Sequence, residues 1–179
     1  ANRVTALDED QFARVSDEYV RMSLELQREF GLRREEAIKI RPGLADKGGI
    51  LWLKPSWTKG GRAREIPIRT EAQREILDKA RALAGKGSLI PAEKDYKAQK
   101  NRYEGQCIRA GLHKMHGLRH AYAQRRFEDI AGFPAPLAGG PSRADLTNDQ
   151  RALDKKARAV ITNELGHNRE RITVTYLGR

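Results

Sequence analysis

The chain has one cysteine in 179 residues. Cys107 therefore has no partner for an internal disulfide, and a metal centre built on several thiolates is excluded, which fits a reducing compartment. There is no apolar run near the length of a membrane span, and the N-terminus lacks the basic, apolar and small-residue order of a signal peptide. No internal repeat is visible. A disulfide-stapled secreted domain, a membrane-spanning protein and a solenoid are all set aside, and a cytoplasmic protein is expected.

Positive charge is what the chain has in excess. Lys and Arg number 35 against 24 Asp and Glu, a formal charge of +11, and they are spread along the chain instead of gathered in a tail. A folded basic surface follows, with nucleic acid as the leading partner. A ribosomal or membrane-surface protein would share this charge. The length fits one domain with a real core.

Phe12, Val15, Tyr19, Met22, Leu26 and Phe30 recur at three- and four-residue intervals up to Gly31, and Thr5 with Asp8 resembles a capping box, so one amphipathic helix is predicted up to Gly31. Arg33 to Ile40 predicts a short helix stopped by Pro42. Ile50 to Leu53 and Glu65 to Ile68 read as strands joined by a turn at Lys59-Gly60-Gly61-Arg62, with Pro67 favouring an edge. Thr70 and Gln73 make a capping box for a helix ending at Gly85. Helices follow at about Asp95 to Ala110 and Gly117 to Ile130, the first burying Tyr96, Tyr103, Cys107 and Ala110. The breaker-rich stretch from Gly132 to Ser142 is a loop. Asn148 is expected to cap a last helix with a buried stripe of Leu153, Ala157, Val160, Ile161 and Leu165 before Gly166.

Four segments hold polar residues that packing does not explain. In Gly31-Leu32-Arg33-Arg34-Glu35-Glu36 an arginine at a helix start can aim its planar guanidinium at a phosphate, although a solvated arginine reads the same. Thr58 to Arg64 is a basic, glycine-rich hairpin tip, for which plain turn chemistry is the alternative; Trp57 beside it reads as sheet packing. In His116-Gly117-Leu118-Arg119-His120 a spacing of three puts His116 and Arg119 on one side of a helix. A spacing of four also joins His116 to His120, but the metalloprotease glutamate and a local third ligand are missing, so a metal is not expected and His120 reads as a hydrogen-bonded structural histidine. In Leu165-Gly166-His167 through Tyr176, a histidine follows a helix-ending glycine and a tyrosine comes nine positions later.

Together these segments resemble the tyrosine recombinase, or phage-integrase, family over nearly the whole chain and in the family's order. The resemblance implies an α+β, predominantly helical catalytic domain with one small antiparallel sheet. It implies that Arg33 is the catalytic arginine with Glu36 as its acidic support, that Lys59 is the catalytic lysine, that His116 and Arg119 form the His-x-x-Arg box, that His167 belongs to the Leu-Gly-His box and that Tyr176 is the nucleophile. Two departures stand out. The interval from Arg119 to His167 is long for a compact member, which reads as a surface insertion over 132–147. The N-terminal DNA-clamping domain and the C-terminal tail of the family have no counterpart, so a piece of a longer protein is expected, with Tyr176 displaced or mobile.

The chemistry implied is strand cleavage and rejoining through a 3′-phosphotyrosyl bond. The arginines and His167 would hold the non-bridging oxygens, His116 would take the phenolic proton, and Lys59 would protonate the leaving 5′ oxygen. No cofactor or metal is called for. Double-stranded DNA is the expected partner, with a monomer off DNA and a synaptic tetramer of the full-length protein on it. A type IB topoisomerase-like enzyme and a non-catalytic basic DNA-binding domain remain the alternatives.

Overall fold

The structure is a computed structural model and describes residues 1–179. Its first helices are set by two aspartates. Asp8 accepts from the Gln11 amide and caps α1 (Glu9–Ala13), and Asp17 accepts from the amides of Tyr19 and Val20 and caps α2 (Glu18–Phe30). The single helix expected up to Gly31 is thus broken in two. An aspartate side chain competes for backbone donors and favours a helix start over an interior, and Gln106 Oε1 accepts from the Ser16 and Asp17 amides freed by the break. Thr5 does not cap; its hydroxyl donates to the Lys114 carbonyl at 3.0 Å.

The short helices α3 (Arg34–Lys39) and α4 (Pro42–Ala45) lead into a two-stranded antiparallel sheet, β1 (Ile50–Leu53) and β2 (Arg64–Pro67), in which Ile50 faces Pro67 and Leu53 faces Arg64. Both strands are edges, which tolerates Pro67. β2 begins one residue before the expected start, so Arg64 enters the sheet. Trp57, in a 3₁₀ turn between the strands, is buried and meets Trp52 edge-on at 6.3 Å, the packing role expected for it.

Then come α5 (Glu71–Ala84), with the Thr70–Gln73 capping box, α6 (Tyr96–Ala110), α7 (Gly117–Ala131), α8 (Asn148–Leu165) and α9 (Glu170–Leu177). The predominantly helical architecture with one small sheet is the one expected. On α6, Tyr103, Cys107 and Ala110 are buried and Tyr96 partly so; burial pushes the Cys107 thiol up to about 11, an inert core residue. On α8 two expectations fail. Its cap is Thr147, whose hydroxyl accepts from the Gln150 amide while Gln150 Oε1 accepts from that of Thr147; Asn148 already lies inside the helix. Leu153 is 39% exposed and Val160 half-buried, because the first turns of α8 stand in solvent and the buried face starts only at Ala157.

α7 is the central element. It packs against α2, α8 and α9, and its Tyr122 and Phe127 join Phe30, Leu77, Leu51, Leu53, Ile66, Ile161 and Leu165 in the main core. A second core of Val20, Leu24, Ile38, Tyr103, Cys107 and Leu118 joins α6 to α2 and α3. The segment 132–147 is more than a surface loop: Ala135 and Leu146 are buried, and its 3₁₀ turn Pro136–Ala138 packs on the end of α9. No helix is long and apolar enough to cross a membrane.

Candidate active site

Gly31 terminates α2 in a left-handed conformation (φ +67°), and a Cβ there would lie 2.5 Å from the Tyr122 ring. Only glycine fits this approach of α2 to α7. The turn delivers Arg33 to the entrance of α3, where its amide donates to Glu36 Oε1 at 2.9 Å and its guanidinium pairs with Glu36 Oε2 at 3.3 Å. Glu36 is fully buried. It also takes a bidentate pair from Arg64. Burial alone would raise its pKa, but the Arg64 hydrogen bonds and charge outweigh that and hold the carboxyl below its usual range.

Arg119 is buried at the heart of the site. Its guanidinium donates to the Gly31 carbonyl at 2.7 Å, to the Leu165 carbonyl and, through Nε, to the Tyr176 hydroxyl at 3.2 Å. Of the five N–H donors of an arginine, these three bonds leave two for a ligand. Burial first, then the charges of Arg33 and Arg64, press its pKa down to about 10.

The structure seats Tyr176 inside the site. It is buried on α9, its hydroxyl also lies 3.3 Å from His116 Nε2, and its ring sits 4.3 Å from His120 and 5.4 Å from His167 between centroids. His116, at the opening of the site, is pushed below the usual histidine range by partial desolvation and by Arg119, Arg33, Arg3 and Lys59. His167 follows α8, its Nε2 buried without a partner, and burial with Arg119 and Arg33 lowers it to about 4. His120 is not the hydrogen-bonded histidine expected: its Nδ1 is buried and unpartnered, and its ring lies tilted against that of Tyr176.

Lys59 is exposed at the hairpin tip. Its side chain lines two clefts, of about 590 Å³ beside Arg33 and His116 and about 430 Å³ beside Arg64 and His167. It stands at the rim of the site and makes no ion pair. Four of the six expected residues, His116, Arg119, His167 and Tyr176, thus meet at the Tyr176 side chain, while Arg33 is held on Glu36 beside them and Lys59 stands at the rim.

Arg64 was not anticipated. Side chains alternate along a strand, so Arg64 shares the buried face of β2 with Ile66. An arginine on a buried face requires a carboxylate, and the buried Glu36 supplies it. That periodicity was the available signal.

With this geometry in hand, the sequence profile of the integrase family is found to match residues 4–125. No curated protein matches the chain. Among solved structures, the XerH site-specific recombinase bound to a palindromic difH substrate, in a post-cleavage complex, superposes with a TM-score of 0.54 at 18% identity, covering 94% of this chain. That is a likeness of fold. The chain spans 46% of the length of the XerH chain.

Proposed function

Because this chain belongs to the integrase family of tyrosine recombinases, we propose that it is the catalytic domain of a site-specific recombinase that cuts and rejoins DNA through a covalent bond to Tyr176. The observation that carries the reading is the Tyr176 hydroxyl, 3.2 Å from Arg119 Nε and 3.3 Å from His116 Nε2. A phenol titrates near 10 in water, so attack at neutral pH needs an acceptor for its proton and a cation beside the oxygen it leaves charged. His116 is neutral near pH 7 and takes the proton; Arg119 steadies the phenolate.

A phosphodiester resists attack because its non-bridging oxygens carry a negative charge. Arg33 and the two free donors of Arg119 hold these oxygens, with bonds that tighten as charge builds in the five-coordinate transition state. His167, in the tautomer protonated at Nε2, adds a donor from a nitrogen with no protein partner. Loss of one such contact costs about 10²- to 10³-fold in rate. As the Tyr176 oxygen bonds to phosphorus, the bond to the 5′ oxygen breaks and Lys59 supplies that oxygen with a proton. The 3′-phosphotyrosyl product keeps the phosphodiester energy, and a 5′ hydroxyl reverses the step. No step needs a metal ion.

The partner in this reading is double-stranded DNA in the cytoplasm. The chain is a monomer off DNA, and a synaptic tetramer is the working state of a longer protein. The test is a library of nicked duplexes with randomised sequence, which traps cleavage by losing the short strand. A covalent protein–DNA band, stable to boiling detergent and absent from Tyr176→Phe, is expected. Salt-sensitive binding with no adduct would return the chain to the class of non-catalytic DNA-binding proteins.

A further inference from the structure

α9 has eight residues, about two turns, too few to hold a helix in water without tertiary support. Its last carbonyls have no partner within the helix. One of them belongs to Tyr176 itself, and it accepts from the buried Gln124 Nε2 at 2.9 Å. Gln124 is in turn held by Asn2: Nε2 donates to Asn2 Oδ1 at 2.7 Å, and Gln124 Oε1 accepts from Asn2 Nδ2 at 3.3 Å. Asn2 Nδ2 also donates to the Leu137 carbonyl at 3.0 Å. The turn holding Leu137 closes on the backbone just past the nucleophile. Gly178 has φ +83°, and a Cβ there would lie 2.9 Å from Leu137 Cγ and 3.2 Å from Pro136 Cβ.

Three segments remote in sequence, at 2, 124 and 136–137, therefore meet within two residues of Tyr176. α7 holds this one residue at both ends, the hydroxyl through Arg119 and the carbonyl through Gln124. We propose that Gln124, Asn2 and the turn at Pro136 and Leu137 form a clasp that sets the position of α9, with Gln124 as a positioning residue for the nucleophile. The proposal rests on the reading of Tyr176 above and goes beyond it: the segment 132–147 becomes part of the machinery that seats the nucleophile. Misplacement of a reacting atom by about 1 Å can cost 10²-fold in rate, so a clasp on the backbone of the attacking residue acts on the chemical step.

Gln124→Glu keeps the shape and replaces the donor to Tyr176 with an acceptor. Asn2→Ala removes the outer link at an exposed position and serves if the first variant does not fold. Two readouts are taken on the full chain. Amide hydrogen exchange, without DNA, is expected to speed up on the order of 10-fold or more in α9 while protection in α2 and α5 is kept. Adduct formation on saturating randomised nicked duplex is expected to slow by about 10- to 100-fold in Gln124→Glu, with a smaller loss in Asn2→Ala and unchanged DNA affinity. Unchanged exchange in α9, or exchange raised equally in α2 and α5, overturns the clasp. If the wild-type chain forms no adduct, the reading of Tyr176 fails, while the exchange data still decide the clasp.

Discussion

His120 and His167 flank the phenol of Tyr176, and the fold keeps both neutral. For His120 the causes are burial, then His116, Arg3 and Arg119; for His167 they are burial, then Arg119, Arg33 and Arg64. Each titrates at about 4 in the folded chain, against about 6.5 for a free histidine. Between those values the unfolded chain binds protons that the folded chain refuses, so stability is complete above about 6.5 and is lost as pH falls towards 4. Urea midpoints should be flat above pH 7 and decline from about 6.5 to 4, less steeply in His120→Gln. An unchanged slope in that variant would place the titration elsewhere. At the same scale, Glu36 shows why a motif under-reports a site. Its acidic character is visible in the sequence, but its two arginine partners are 3 and 28 residues away, and only the turn at Gly31 and the sheet register bring them to one carboxylate.

At the scale of elements, polar side chains at helix ends decided most boundaries. Apolar spacing continued through Ser16 and Asp17, yet Asp17 starts a new helix because its carboxylate satisfies two amides at once. On α8 the difference between Thr147 and Asn148 is measurable. Thr147→Ala should cost about 1 kcal/mol in denaturant unfolding, the usual value of a lost N-cap, and Asn148→Ala should cost much less, since no side-chain hydrogen bond of Asn148 supports the helix. Equal losses would contradict the cap assignment. α9 shows the limit of local reading. Its eight residues have a modest apolar pattern, no helix is predicted from them, and the helix exists because Tyr176 and Leu177 bury against α7, α8 and the turn at Pro136.

Across the whole molecule the +11 charge is spread along the chain, but at the site Arg33, Arg64 and Arg119 share one buried carboxylate, Glu36. Burial first, and then the charges of Arg33 and Arg64, lower Arg119 to about 10, and an anion among these arginines should relieve the part due to their mutual repulsion. Inorganic phosphate at tenfold its Kd should then stabilise the fold by about 1.4 kcal/mol, a rise in Tm of roughly 3–6 °C. Arg33→Ala should lose this response and keep only the weaker stabilisation that phosphate gives any protein; an equal rise in both would show that the site binds no anion. The sequence by itself determined the helical class, the hairpin, the four motif segments and the basic character, because helix period, turn chemistry and charge are local properties of a chain. Only the tertiary structure decided that Arg64 completes the arginine cluster, that His120 lies against the Tyr176 ring with its Nδ1 unpartnered, and that the Tyr176 carbonyl accepts from Gln124. Those facts depend on which buried groups find partners, and partners far apart in a chain are chosen by packing.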